Sequence, residues 1–185
     1  MKSHPAPQSG PSNWVVRWAR LLASGDAVLD FASGAGRNHA PLLARGARVT
    51  AVDRDPRALA ALGAGVEAIV ADLEHGPWPF AARKFAMVVC CNYLFRPRLD
   101  LLVDLVASGG ALVYETFARG NEAFGRPANP DYLLRAGELL DAARRGGLEV
   151  LAYEHGRVDA PAPAVIQRVC AIRGPRARGA WPAVG

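Results

Sequence analysis

The sequence predicts an α/β protein with a doubly wound, mostly parallel sheet and helices on both faces. Three observations support this: apolar segments of strand length alternate with segments of helical periodicity, a glycine turn follows the first strand, and acidic residues end three successive strands. Of the 185 residues, 51% are hydrophobic and 21% are charged. This balance suits one globular domain whose core needs no disulfide or metal.

The predicted elements begin with a helix. Ser12 is its expected N-cap, and apolar side chains recur at helical spacing to about Ser24. Apolar segments of strand length follow at Ala27–Ala32, Arg48–Val52, Val66–Ala71, Phe85–Cys91, Ala111–Thr116, Leu148–Glu154 and Val165–Ile172. Helices are predicted between them at Arg37–Arg45, Asp55–Leu62, Pro97–Ala107 and Tyr132–Arg145.

Glycine and proline mark the ends of these helices. Gly46 stands at a C-cap position, Pro56 at a first helical position, and Gly146-Gly147 after the last helix. A Gly109-Gly110 turn is expected before the fifth strand. No helix separates the last two strands, so an antiparallel edge is predicted.

The chain ends, the lengths of the apolar runs and the net charge limit the possible classes of function. Residues 1–11 are predicted to be a disordered tail, residues 12–174 the folded domain, and residues 175–185 a flexible tail. No apolar run approaches the roughly 20 residues that cross a bilayer, so a cytoplasmic protein without a membrane partner is expected. The formal net charge of +5 permits an anionic partner without requiring one.

The cysteines and histidines predict no metal site. Cys90 and Cys91 are adjacent in an apolar run, and Cys170 lies far from them, so all three are expected to be reduced core thiols. No cluster has metal-ligand spacing, and His39 and His75 are interpreted as surface groups.

The segment VLDFASGAGRN (residues 28–38) is the most informative part of the chain. A glycine turn between a strand and a helix lets the backbone approach a ligand closely. Asp53 follows about twenty residues later at the end of the second strand, where a carboxylate accepts ribose hydroxyls. Asp72 ends the third strand. Because the ends of parallel strands open onto one crevice, these groups are expected to converge.

The ligand is expected to be cationic rather than a phosphate. Asp30 lies inside the signature, and no Lys-Ser or Lys-Thr pair follows the glycines as in a P-loop. A dinucleotide turn needs a small residue three positions after Gly36, where His39 stands. S-adenosylmethionine (AdoMet) carries an ammonium group, a sulfonium, a ribose and an adenine, and it fits better.

At these residues the chain resembles the class I AdoMet-dependent methyltransferases, over roughly Ala27–Arg173. The motifs are VLDFASGAGRN, VTAVDRDPRAL, the acid of IVADLE, and MVVCCNYL. The series GRN, AVDRDP and YLLRAGEL looks like the small-molecule branch that includes the tellurite-resistance enzymes. The resemblance implies a Rossmann-like sheet of seven strands in the order 3-2-1-4-5-7-6, with AdoMet as cofactor and in-line methyl transfer.

The resemblance also implies cofactor contacts at the methionine end. The backbone of Ala32, Ser33, Gly34 and Gly36 would lie against the methionine moiety, and Asp30 would orient its amino group. Cys91 and Asn92 would line the same end by main chain. Ala32 replaces the first glycine of the family motif, and Ser33 stands where cysteine is common. A β-carbon at residue 32 favours a negative φ.

At the nucleoside end the resemblance implies four further contacts. Asp53 would bind the ribose hydroxyls, with Arg54 flanking the adenine. Asp72 would accept a hydrogen bond from the adenine amine, and Leu73 would pack on the ring.

The methyl acceptor is expected to be a small molecule. The strand-end candidates for acting on it are Tyr93, Arg96, Glu115 and Arg126. The long segment Gly120–Leu134 is interpreted as part of the acceptor pocket or its lid.

Three alternatives to a small-molecule methyltransferase remain open. A nucleic-acid acceptor ranks second, because the Asn/Asp-Pro-Pro-aromatic run of base-methylating relatives is absent after the fourth strand. The others are a non-catalytic nucleotide-binding module and a nicotinamide-dependent oxidoreductase, and His39 and Asp30 argue against the oxidoreductase.

Overall fold

A computed structural model describes residues 10–174 of the chain. The predicted tail at residues 175–185 lies outside the described residues, as does the predicted N-terminal tail apart from Gly10 and Pro11. Within the described part, no helix is both long and apolar enough to span a membrane.

The strands of the described residues form one sheet. They are β1 (Ala27–Phe31), β2 (Arg48–Asp53), β3 (Val66–Val70), β4 (Phe85–Cys91), β5 (Val106–Phe117), β6 (Leu148–Val158) and β7 (Ala164–Arg173). Their order is β3-β2-β1-β4-β5-β7-β6. β1 to β5 are mutually parallel, whereas β7 pairs antiparallel with both β5 and β6. The predicted fold class and strand order are confirmed, and the reversed strand, β7, lies one place in from the edge.

The helices are shorter than predicted. They are α1 (Asn13–Ala19), α2 (His39–Leu43), α3 (Pro56–Ala60), α4 (Leu99–Asp104) and α5 (Glu138–Arg145). The Ser12 side chain caps α1 by accepting from the backbone N–H of Trp14 and Val15. Pro56 occupies the first position of α3, as predicted.

Two apolar layers cover the two faces of the sheet, and β1 contributes to both. Leu29 and Phe31 pack into the cluster that includes α4 and α5 side chains. Val28 points to the opposite cluster, built on Trp14 and Trp18 of α1. Asp30 alternates with these residues and is buried on the same face as Val28. The carboxylate of Asp30 is therefore buried against one face of the sheet, near the carboxyl end of β1.

β5 begins earlier than the glycine pair suggests. It was predicted to start at Ala111, but it runs from Val106 through both glycines. Gly109 has a φ of 73°, and the pairing of β4 with β5 shifts register between Phe85 and Met87. A β-carbon at Gly110 would lie 2.9 Å from the Phe85 carbonyl oxygen. The glycines therefore permit a bulge inside the strand, and α4 ends sooner than predicted.

The last helix begins later than predicted. It was expected from Tyr132, but α5 starts at Glu138. The Leu134 backbone N–H donates to the Phe117 carbonyl (2.9 Å), and the Arg119 N–H donates to the Leu134 carbonyl (3.0 Å). Because these groups pair with the end of β5, they cannot make helical bonds. Residues 118–137 form a long loop, named here the β5–α5 loop.

Candidate functional site

A cleft of about 920 Å³ lies across the carboxyl ends of β1 to β4. Of the predicted cofactor residues, those that line it are Asp30, Ala32, Ser33, Gly34, Asp53, Arg54, Asp72, Leu73, Cys91 and Asn92. Gly36 does not line it. The predicted convergence of strand ends on one crevice is therefore present in the fold.

The turn after β1 is left-handed at several positions. Gly34 has a φ of 53° and Gly36 a φ of 74°. Ala32 also has a positive φ, of 57°, so the expectation of a negative value was wrong. The Ser33 N–H donates to the Val52 carbonyl at 3.0 Å, which holds the turn against β2. To make this bond the chain turns sharply at Ala32, although the alanine side chain disfavours the left-handed conformation.

Asp53 connects the end of β2 to the glycine turn. Its Oδ2 accepts from the Gly34 N–H at 2.8 Å, and its Oδ1 accepts from the Asp55 N–H at 3.0 Å. Each carboxylate oxygen has a second lone pair, so the group can accept further hydrogen bonds. The turn and the carboxylate thus fix one another at the wall of the cleft.

Asp72 lies after β3 and is exposed. Its Oδ1 accepts from the N–H groups of His75 (3.0 Å) and Glu74 (2.8 Å). These backbone bonds lower the pKa of Asp72. The carboxylate therefore stays ionised near neutral pH, oriented by the following turn.

Asp30 is buried and faces a histidine. The exposed fraction of its side chain is 2%, and its Oδ2 lies 3.1 Å from Nε2 of His39, whose side chain is 8% exposed. Burial raises the pKa of Asp30, and the imidazole opposes that rise. The interpretation of His39 as a surface group was wrong, because the turn over Gly36 folds the first residue of α2 inward.

The end of β4 supplies the opposite wall. Cys91 is a buried free thiol whose pKa burial raises, so it is not a ready nucleophile. Cys90 and Cys170 are also buried, at the core positions predicted for them, and neither forms a disulfide within residues 10–174. Asn92 has a φ of 56°, and its N–H donates to the Glu115 carbonyl at 2.9 Å. The chain turns sharply here.

Tyr93 lines the cleft, and some of its neighbours belong to the segment that follows β3. Its ring centroid is 5.5 Å from that of Phe31, and its charged neighbours are Glu74, Arg98 and Asp72. Burial raises the pKa of the Tyr93 hydroxyl. The side chain thus lies near Asp72, and it is a poor base because its hydroxyl stays protonated near neutral pH.

Arg96, Glu115 and Arg126 do not line the cleft. Arg96 donates to both oxygens of Glu138 (2.6 and 2.9 Å). Glu115 accepts from the Ser12 hydroxyl at 2.8 Å and pairs with Arg168 at 3.3 Å. Arg126 is exposed in the β5–α5 loop. None of these three acceptor candidates is therefore part of the lining of the cleft.

Some lining residues were not predicted to contact the cofactor: Arg37, Asn38, Asp55, Pro56, Ala58, Ala71 and Glu74. Each lies within a few residues of a motif position, so proximity to the motifs was the available signal. Arg37 is notable because its Nη2 is buried without a hydrogen-bond partner among residues 10–174. Those residues also hold no group of three or more His, Cys, Asp or Glu side chains arranged for a metal ion.

Comparison with known proteins matches this fold to methyltransferases. A family model described as "Methyltransferase domain" matches residues 28–110. The ribosomal RNA small subunit methyltransferase H of Gemmatimonas aurantiaca is 30% identical over 203 aligned positions, covering 95% of this chain and 63% of that protein.

Solved structures agree on the fold. TehB from Haemophilus influenzae superposes with a TM-score of 0.67 at 18% identity, covering 86% of this chain and 61% of TehB. The glycopeptide N-methyltransferase MtfA, in complex with S-adenosyl-L-homocysteine, gives a TM-score of 0.63 at 17% identity, covering 93% of this chain and 90% of MtfA. The chain thus spans about three fifths of the ribosomal RNA enzyme and of TehB. The sheet order and the match of residues 28–110 to the methyltransferase-domain model confirm the predicted resemblance to the class I S-adenosylmethionine-dependent methyltransferases.

Proposed function

We propose that this chain binds AdoMet in the cleft and transfers its methyl group to a small-molecule acceptor. The observation that carries the proposal is the placement around one cleft of Asp30 in β1, Asp53 at the end of β2 and Asp72 just after β3. Carboxylates at those positions suit a ligand with an ammonium group, a ribose and an adenine amine.

The charge of the cleft supports a cationic ligand. Its acidic residues are Asp30, Asp53, Asp55, Asp72 and Glu74, and its basic residues are Arg37 and Arg54. A pyrophosphate placed among these carboxylates would be repelled. The His39 ring lies against Gly36, at the position where a dinucleotide site needs a small residue so that helix and strand pack closely. Both features disfavour the oxidoreductase alternative.

Each cleft residue then has a proposed role in binding. Asp53 would bind the ribose hydroxyls through its remaining lone pairs, and Arg54 would flank the adenine. Asp72 would accept from the adenine amine, and the buried Leu73 would pack on the ring.

At the other end, Asp30 would accept from the ammonium group. The Nη2 of Arg37, which has no hydrogen-bond partner within residues 10–174, would donate to the carboxylate of the methionine moiety. Backbone groups of residues 32–34, 91 and 92 would line the methionine chain.

Bound AdoMet supplies an activated methyl group, so the protein's task is to align acceptor and donor. Among the lining residues, the pKa of the Tyr93 hydroxyl and the pKa of the Cys91 thiol are both raised by burial. Neither side chain is therefore suited to take a proton from an acceptor near neutral pH. The proposal therefore assigns neither residue as a general base, and the acceptors to test first are those that need little base assistance, such as a thiol or a chalcogen oxyanion.

Binding is tested by calorimetry with AdoMet, S-adenosyl-L-homocysteine and NAD. The two sulfur ligands should bind, and NAD should not. Asp53→Ala should weaken AdoMet binding by roughly 1–3 kcal/mol, because ribose hydroxyls would lose a charged partner. The exposed Asp141 of α5 offers a matched control, since Asp141→Ala removes a carboxylate that does not line the cleft. Unchanged affinity in Asp53→Ala would contradict the ribose role.

Transfer is tested with radiolabelled AdoMet and separate pools of thiols, chalcogen oxyanions, carboxylates, tRNA and small ribosomal subunits. The ribosomal pool is included because the 30% identical relative is a ribosomal RNA methyltransferase. Label in a small molecule supports the proposal, whereas label in RNA alone would favour a nucleic-acid acceptor. Binding with no transfer to any pool would favour a non-catalytic module. A cytoplasmic location stays a prediction.

A further inference from the structure

The buried pair of Asp30 and His39 links the two ends of the glycine turn. Asp30 belongs to β1, and His39 is the first residue of α2. Asp30 Oδ2 and His39 Nε2 are 3.1 Å apart, and neither atom has another hydrogen-bond partner within residues 10–174. Two buried polar atoms facing only each other are costly unless a proton lies between them.

The position of the imidazole is fixed by packing as well as by this contact. A β-carbon at Gly36 would lie 2.5 Å from Cε1 and Nδ1 of His39, so the ring occupies the space that this glycine leaves. The His39 N–H donates to the Gly36 carbonyl at 3.0 Å. The ring is therefore held between Gly36 and Asp30 and has little freedom to turn away.

The two members of the pair relate differently to the cleft. Asp30 lines it, whereas His39 does not. Four further groups act electrostatically on Asp30 or are affected by it: Arg37 of the same turn, Asp53 of β2, and Cys90 and Cys91 of β4. Of these, only Arg37 favours the ionised carboxylate. His39 is thus the nearest group that can stabilise its charge.

We propose that His39 is a positioning residue, which donates from Nε2 to Asp30 and keeps that carboxylate ionised and oriented for the ammonium group of the ligand. This inference rests on the proposed function. A protonated Asp30 has no charge with which to hold an ammonium group. Burial favours protonation of Asp30, so affinity for an amino-acid-bearing ligand depends on the donor at residue 39.

The test compares two variants of similar shape. Glutamine keeps an N–H near the position of Nε2, whereas methionine has the same length without a donor. Binding of two ligands is measured by calorimetry from pH 5.5 to 8.5: S-adenosyl-L-homocysteine, which carries the ammonium group, and 5′-methylthioadenosine, which lacks the amino-acid end. His39→Gln should bind both nearly as the wild type does. His39→Met should bind S-adenosyl-L-homocysteine about tenfold more weakly at neutral pH, and 5′-methylthioadenosine normally.

The pH profile separates positioning from a general structural role. As pH falls, affinity for S-adenosyl-L-homocysteine should decline at a higher pH in His39→Met than in His39→Gln, because Asp30 without a donor takes up a proton more readily. Identical profiles in the two variants, or an equal loss of affinity for both ligands in His39→Met, would overturn the inference.

Two further results complete the design. If His39→Met does not fold, the shorter pair His39→Asn and His39→Leu gives the same contrast between donor and no donor. Wild-type protein that binds neither ligand would refute the proposed function and, with it, this inference. Wild-type binding combined with equal behaviour of the matched variants would refute the inference alone.

Discussion

Ala32 and Asn92, each directly after one of the adjacent strands β1 and β4, have left-handed backbone conformations, with φ values of 57° and 56°. Asparagine adopts this conformation more readily than alanine does. At Ala32 the surroundings impose it, since the Ser33 N–H and the Gly34 N–H are both bonded to the end of β2. The family's usual glycine would meet the same requirement without steric cost.

Ala32→Gly should therefore stabilise the fold. Removing the strain of a left-handed alanine stabilises the fold by about 1–2 kcal/mol. The greater freedom of glycine in the unfolded chain reduces that gain by roughly 0.4–1 kcal/mol. We expect a net gain of about 0.5–1 kcal/mol, measured by urea denaturation. Ala44, exposed at the end of α2 with a φ of −60°, is the control, because Ala44→Gly should destabilise. Equal destabilisation by both changes would refute strain at residue 32.

The sequence predicted the acidic residues of the cleft better than it predicted their partners. Asp53 and Asp72 directly follow apolar strands, and that local pattern is enough to place them. The burial of His39 depends on how the chain folds back over Gly36, which no local pattern reveals. Arg96 meets Glu138, a residue 42 positions later, so its partner depends on tertiary packing.

At the scale of elements, Arg96 joins the segment after β4 to the β5–α5 loop. Besides Glu138, its guanidinium donates to the carbonyls of Asp131 (2.7 Å) and Leu133 (2.7 Å). The loop is also tied to β7, where Gln167 donates to the Arg135 carbonyl (2.6 Å). These bonds explain why a long segment rich in glycine, proline and asparagine is ordered. Its interpretation as an acceptor pocket or lid stays a prediction.

Arg96→Met should destabilise the protein by about 2–3 kcal/mol, since a half-buried carboxylate and two carbonyls lose a charged donor. The loss should appear in urea denaturation, and loop residues near 131–133 should exchange amide hydrogens faster. AdoMet affinity should change little, because Arg96 does not line the cleft. Arg119, exposed in the same loop, provides the control Arg119→Met.

The pH dependence of stability gives an independent check on this pair. Burial opposes ionisation of Glu138, but the bonds from Arg96 and from the Arg135 N–H outweigh it and lower its pKa. The stability that Glu138 contributes is present above its unfolded pKa and is lost as pH falls through the folded value. Arg96→Met should lack that acid-sensitive part. An Arg96→Met variant with the full wild-type loss of stability in acid would contradict the assignment.

For the whole molecule, the alternation of strands and helices predicted a mostly parallel sheet covered on both faces, whereas the order of its strands was implied by the family resemblance. Element ends were less predictable. β5 passes through Gly109 and Gly110 because a bulge forms against β4, and α5 begins late because residue 134 pairs with the end of β5. In both cases hydrogen bonds to distant strands override the local propensity.

The cleft draws on four strands, so a ligand bound there should stabilise the entire domain. Its walls come from the ends of β1, β2 and β4 and from the residues after β3, which must all be in place for binding. A ligand that binds only the folded state, at a concentration 100 times its Kd, adds about 2.7 kcal/mol to the free energy of unfolding. For a domain of this size each kcal/mol raises Tm by about 2–4 °C, so S-adenosyl-L-homocysteine should raise Tm by roughly 5–11 °C. Asp53→Ala should need more ligand for the same shift, whereas Asp141→Ala should follow the wild type. A Tm that does not respond to the ligand would contradict its binding in the cleft.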